Sequence, residues 1–161
     1  MIRCWRAGLV VAGVVTSTAA SALSAQRPRS TGKNYAQRLV DSLLLRNPDV
    51  RGVELAVASD GRCATLAGTD PHDFGAPCGE DEREPMRTGE PFVEEPTASD
   101  PVFDITQALH DSAGNLVGAV GIDIAPGPGQ GRAAVLARAR ALLRELEAAI
   151  PSKTKLFETG P

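Results

Sequence analysis

The amino-acid sequence predicts an α+β domain in which antiparallel strands are covered by a helix from each end of the chain. Three observations carry this. Apolar residues recur at steps of three and four after Asn34, and again after Arg132. Between those stretches they recur at steps of two, from Val53 to Val57 and from Val102 to Ile124. Tight turns separate the alternating runs, and strands joined by tight turns pair antiparallel with helices free to cover one face.

The chain opens on Arg3 and Arg6 with no acidic residue, followed by an apolar stretch from Ala7 to about Ala20 and a run of small residues from Ala19 to Ala25. That order is the signature of a secretory signal peptide. Residues 1–25 are read as that leader, with the cut near 22–25, after Ala22, Ser24 or Ala25. The apolar run is shorter than the roughly 18 residues of a spanning helix, and Thr16, Ser17 and Thr18 dilute it. The mature chain is therefore expected to be periplasmic or secreted and not membrane-spanning. Residues 26–33 form a polar, flexible lead-in, 34–151 the domain and 152–161 a C-terminal tail.

Within the domain, Ala36, Leu39, Val40, Leu43 and Leu44 make the stripe of a first helix, which Asn47-Pro48 ends because a residue before proline is pushed out of the helical region. Val53, Leu55 and Val57 alternate with Glu54, Ala56 and Ala58 as a half-buried strand; Ser59-Asp60-Gly61 turns it, and Arg62 to Ala67 returns. Thr69 to Asp73 suits a capped helical turn with Pro71 at its first position. The charged stretch Gly79 to Arg87 reads as a solvated loop, and Phe92 to Glu95 as a short, weak strand.

Two stronger strands follow. Val102 to His110 puts Phe103, Ile105 and Leu109 on one face and Asp104, Thr106, Ala108 and His110 on the other. After the turn Asp111–Asn115, residues Leu116 to Ile124 set Val120, Ile122 and Ile124 against Val117, Ala119, Gly121 and Asp123. Pro126 to Gly131 breaks the sheet, and a long amphipathic helix with Val135, Leu136, Leu142, Leu143, Leu146 and Ile150 on its stripe runs to Pro151.

Composition narrows the function classes. The chain holds 17 Lys and Arg against 20 Asp and Glu, and losing Arg3 and Arg6 with the leader takes the net charge from −3 to −5. An acidic chain without a basic stripe argues against nucleic acid as a partner. Tyr35 and four Phe are the aromatic residues left once Trp5 goes, too few for a base-stacking platform or a porphyrin pocket. Cys63 and Cys78 remain as an even pair, which in an oxidising compartment reads as a disulfide. No cofactor and no metal site are expected.

Residues 102–124, VFDITQALHDSAGNLVGAVGIDI, resemble the final hairpin of the Cache/PAS-like (PDC-type) extracellular sensor domains. The matching positions are His110, Asp111, Gly114, Val117 and Gly118, with Gly121 continuing the spacing. The earlier stretch VELAVASDGRCATLAGTDPHDFG resembles the first hairpin of the same fold and the segment after it, through Thr69, Asp70, Pro71, Phe74 and Gly75. The likeness spans about residues 34–150. It implies a five-stranded antiparallel sheet, a long N-terminal helix packed along it, and a small-molecule pocket on one sheet face. Family members are mostly parts of transmembrane receptors, and this chain is expected to be a free-standing version. It lacks the aromatic and arginine set of amino-acid-binding relatives.

The candidate ligand-binding residues are Arg62, His72, Asp104, Thr106 and His110. Asp104, Thr106, His110 and Asp123 share a sheet face if their strands pair through the Asp111 turn, though Asp123 is expected simply to face solvent. His72 with Asp70 and Asp73 would form a loop at a pocket rim, and Arg62 would fork onto a ligand carboxylate. No Gly-x-Ser-x-Gly, no His-Glu-x-x-His and no paired carboxylates in a catalytic setting stand in the sequence. The expected function is thus a periplasmic, non-enzymatic sensor-like domain for a small organic ligand. It would hand its state to a membrane receptor or transporter component, with a homodimer as one assembly. The rivals are a ligand-free docking module and an enzyme with an unfamiliar site.

Overall fold

The computed structural model describes residues 33–160. The expected leader, its cleavage sites and all of the lead-in but Lys33 lie outside the described residues. The elements run α1 (Tyr35–Arg46), β1 (Val50–Ser59), β2 (Arg62–Gly68), a 3-10 turn (Pro71–Asp73), α2 (Glu80–Thr88), β3 (Phe92–Glu94), β4 (Phe103–His110), β5 (Leu116–Ile124), α3 (Arg132–Ala149) and α4 (Lys153–Leu156). The strands make one antiparallel five-stranded sheet in the order β2-β1-β5-β4-β3. The α+β class and the antiparallel sheet are as the sequence predicts.

One sheet face carries the core. Val53, Leu55 and Val57 from β1, Ile105 and Leu109 from β4, and Val120, Ile122 and Ile124 from β5 are buried there. Against them pack Ala36, Val40 and Leu43 of α1, and Val135, Ala139, Leu142 and Leu146 of α3. Asn34 caps α1 by accepting from the Gln37 amide at 2.7 Å, and Tyr35 Oη donates to the Ala149 carbonyl at 2.8 Å, joining the start of α1 to the end of α3. Arg138 of α3 donates to Asp49 from Nε (2.8 Å) and Nη2 (3.0 Å), and so pins α3 to the turn between α1 and β1.

The turns follow local chemistry. Asp60 and Gly61 both have positive φ (51° and 74°), the two-residue hairpin geometry that matches strand twist. In the β4–β5 turn the Asp111 carboxylate accepts from the amides of Ala113 (3.0 Å) and Asn115 (2.9 Å). Gly118 is required by proximity, because a Cβ there would collide with the Ala56 carbonyl of β1.

One expectation is corrected. The stretch Gly79 to Arg87 is not a loop, since residues 80–88 form α2. Its charge density and Pro85 hide a helix whose first turn holds Glu80, Asp81 and Glu82, favourable at a helix N-terminus, and whose Gly89 closes it at φ 76°. Of residues 152–161, expected as a C-terminal tail, the described ones pack onto the domain, with Leu156 of α4 fully buried and Thr159 bridging to Asn34. Among the described residues no helix is long and apolar enough to cross a membrane.

Candidate functional site

The second sheet face is built differently. Cross-strand register sets two rows of residues side by side on it. Gly52, Asp123, Asp104 and Glu94 stand in one row, and Gly68, Glu54, Gly121 and Thr106 in the next. Where the core face presents branched apolar side chains, these rows place glycines at Gly52, Gly68 and Gly121. A hollow results instead of a packed layer.

The chain roofs this hollow from two sides. After β2 a strap folds back along the edge of that strand, with the Gly75 amide donating to the Thr65 carbonyl at 2.9 Å. It is held at its far end by the Cys63–Cys78 disulfide, with Cα atoms 5.3 Å apart, and by the Cys78 amide donating to the Cys63 carbonyl at 3.1 Å. Asp70 caps the 3-10 turn of the strap by accepting from the His72 amide at 2.8 Å. The strap delivers the chain into α2, and Glu82 accepts from the Gly79 amide at 2.6 Å to start that helix. The cavity enclosed between sheet, strap and α2 measures about 180 Å³.

Its lining is acidic. Glu54, Asp70, Asp73, Asp81, Glu82, Asp104 and Asp123 reach it, together with Thr69 and Thr106, and no Lys, Arg or His does. Asp104 and Asp123 are direct cross-strand partners, a placement of like charges that destabilises a sheet. Burial, then the charges of Asp123, Glu94, Asp81 and Glu54, push the Asp104 carboxyl up to about 6. Burial, with Asp100 and Glu54, likewise raises Asp123, and burial with Asp81 raises Glu82. Glu54 accepts a hydrogen bond from the Thr65 hydroxyl. Thr106 is only 3 % exposed, and its hydroxyl lines the cavity with no hydrogen-bond partner among the described residues. A methyl group on Gly121 would stand 3.4 Å from Thr106 Oγ1 and 3.9 Å from Asp104 Oδ1. An atom in that position is within reach of both.

The five candidates from the sequence separate accordingly. Asp104 and Thr106 meet in the cavity. His72 is exposed on the strap and does not line it, although its neighbours Asp70 and Asp73 do. Arg62 is exposed at the β1–β2 hairpin, beside a separate shallow groove shared with Arg83. His110 does not join Asp104 and Thr106. A register shift between Leu109 and His110 carries it toward α3, where its Nδ1 lies 2.9 Å from Glu147 Oε1 and its amide donates to the same oxygen at 3.1 Å. Glu147 thereby satisfies an amide on the stretch of β4 that β3 is too short to cover. Asp123, expected to face solvent, is half-buried in the cavity, with its carboxylate where a Cβ on Gly52 would be. The sequence signal for it was present: setting the apolar face of β5 (Val120, Ile122, Ile124) against that of β4 (Phe103, Ile105, Leu109) puts Asp123 on the face of Asp104. Glu54, Asp81 and Glu82 could not be found this way, because the roof that brings α2 over the sheet is tertiary.

No protein-family model matches the chain, and no curated protein matches it. Solved structures do. The GAF domain/HD domain protein from Geobacter sulfurreducens is similar with a TM-score of 0.53 at 16% identity, over 77% of this chain and 96% of that one. The type II free methionine-R-sulfoxide reductase from Thermoplasma acidophilum is similar at TM-score 0.51 and 14% identity, over 75% and 91%. The GAF domain of a two-component sensor histidine kinase from Bacillus halodurans is similar at TM-score 0.51 and 9% identity, over 70% and 91%. The fold is therefore GAF/PAS-like, an α+β domain on a five-stranded antiparallel sheet. At these identities the likeness is one of fold alone.

Proposed function

We propose that this chain is an extracytoplasmic, non-catalytic sensor-type domain that binds a small organic ligand in the cavity between its sheet, strap and α2. The observation that carries the reading is the glycine-floored hollow with an unpartnered hydroxyl inside it. A sheet face needed only for solvent contact would have neither roof nor floor of this kind. Several further features support the reading. The fold is that of domains such as the histidine kinase GAF domain above, and residues 102–124 resemble a Cache-type hairpin. The N-terminal leader pattern and the Cys63–Cys78 disulfide suit an oxidising compartment.

Binding is favoured over catalysis because the cavity lining holds no His, Ser, Cys, Lys or Arg. Asp104 and Asp123 resemble an acid–base pair, but no cationic side chain lines the cavity beside them to stabilise developing negative charge. In this reading occupancy is passed on through α2 or the strap to a membrane receptor or transporter component.

The test is a thermal-shift panel of organic acids, amines, amino acids and purines on the mature, disulfide-intact protein, with Gly121→Leu as the cavity-filled control. A dose-dependent rise with one chemical class, lost in Gly121→Leu, is the expected result. A flat panel would sink the ligand-binding reading in favour of a docking module, and product formation from any panel member would overturn the non-catalytic one.

A further inference from the structure

We infer that the ligand of this cavity is a small organic cation bearing N–H donors, a primary ammonium or a guanidinium, held by Asp104, Asp123 and Glu54 with the Thr106 hydroxyl. The inference rests on the cavity being a ligand site, and it adds the chemistry of the ligand.

Charge comes first. Seven carboxylates line the hollow and no basic side chain does. Two of them, Asp104 and Asp123, face each other across adjacent strands, with Glu94 continuing the row. Every charged group that acts on Asp104, from β1, β3, β5 and α2 alike, is another carboxylate. A ligand that brought negative charge into this space would add to the repulsion, whereas a cation relieves it at every carboxylate within a few ångströms.

The second observation is independent of charge. Thr106 is 3 % exposed, yet its hydroxyl has no partner among the described residues and lies over Gly121, 3.4 Å from where a side chain would begin. A hydroxyl beside carboxylates can accept from a ligand N–H or donate to a neighbouring carboxylate once a cation holds that carboxylate in place.

The remaining features choose among cations. No three His, Cys, Asp or Glu side chains among the described residues converge to hold a metal ion, so the carboxylates are spread as they would be around a polyatomic cation. No aromatic residue lines the cavity, and a quaternary ammonium is recognised chiefly by aromatic faces. An N–H-bearing head is what carboxylates recognise, a guanidinium bidentately. The volume of 180 Å³ is several times what one water needs, so the hollow has room for a small polyatomic ligand.

The experiment uses the mature protein with 1,4-diaminobutane and 4-guanidinobutylamine as probes. Tetramethylammonium, succinate, glycerol and calcium chloride serve as comparison compounds, and binding is read by calorimetry and by thermal shift. The expected result is binding of one or both N–H cations with no response to succinate, glycerol or tetramethylammonium. Asp104→Asn should weaken that binding about tenfold or more while raising the melting midpoint of the ligand-free protein. Thr106→Val, nearly isosteric, should weaken it several-fold with an unchanged circular dichroism spectrum. Binding of succinate or glycerol without the amines overturns the cation assignment and leaves the cavity as a ligand site. Calcium binding that Asp104→Asn abolishes, with no amine response, overturns it in favour of a metal. If amines bind and Asp104→Asn changes nothing, the site assignment fails. No response to any probe here, with a flat wider panel, overturns this inference and the ligand-binding reading together. No response here with a hit elsewhere in that panel overturns this one alone.

Discussion

Asp49 lies at the edge of the helix-covered face and receives two hydrogen bonds from Arg138, the closer at 2.8 Å. Asp104 lies on the opposite face and looks across at Asp123, with only other carboxylates acting on it. The Arg138 bonds hold the Asp49 carboxyl below its ordinary range, while burial and its acidic neighbours push Asp104 up to about 6. The same contrast runs through the two faces as wholes. On one, β1, β4 and β5 present branched apolar side chains to α1 and α3, and Asp49 at its margin is paired with Arg138. On the other, glycines open a hollow and charges of one sign collect in it. The difference teaches where the free energy of folding comes from and where it is spent. The core face supplies stability, and it carries a cavity face that would be easier to fold if its carboxylates were neutral.

That division can be broken from either side. The largest effect should come from the core. Ile122→Ala removes a fully buried side chain and should lower stability by about 2–5 kcal/mol in chemical denaturation; a loss well under that would mean the face is not the packed layer described. Next, replacing Cys63 and Cys78 together with Ser should cost about 3 kcal/mol on the chain-entropy account. Because the bridge holds the strap, the double variant should also weaken binding at the cavity, whereas an unchanged affinity would place the strap outside the site.

The cavity face should respond with the opposite sign. The folded protein binds a proton at Asp104 between the ordinary carboxylate range and pH 6, where the unfolded chain has already released it. Stability should therefore decline as pH rises from about 4 to 6 on account of this group. Asp49 acts oppositely, contributing stability above its unfolded value that is lost as pH falls below it. Asp104→Asn should stabilise the ligand-free protein at pH 7.5 and flatten the profile between pH 4 and 6, and a steeper profile in the variant would contradict the charge argument.

A smaller gain, about 1 kcal/mol, should follow Gln107→Leu. Gln107 is 6 % exposed and its Nε2 is buried without a partner, so an apolar side chain of similar size removes an unsatisfied donor. The smallest effect should be that of His72→Ala, which touches neither face; a change in ligand affinity beyond about twofold (roughly 0.4 kcal/mol) would return His72 to the site.

Periodicity by itself determined that α1 and α3 exist and which stripe each buries, that β1, β2, β4 and β5 pair around tight turns, and that Asp104 and Thr106 share a face with Asp123. These are matters of local spacing and turn chemistry, which each stretch of chain carries within about ten residues. Cys63 and Cys78 were legible as a pair because, with Cys4 assigned to the leader, two cysteines leave one pairing. Tertiary structure alone decided the rest. It made a helix of the charged stretch containing Pro85, since helical dipole and packing on the sheet outweigh a weak propensity. It turned His110 to Glu147 through a shift in register that no spacing announces. It also brought Glu54, Asp70, Asp81 and Glu82 from three separate elements around Asp104 and Asp123. Each of those carboxylates alone looks like an ordinary solvated residue, and only their convergence over a floor of glycines makes a site.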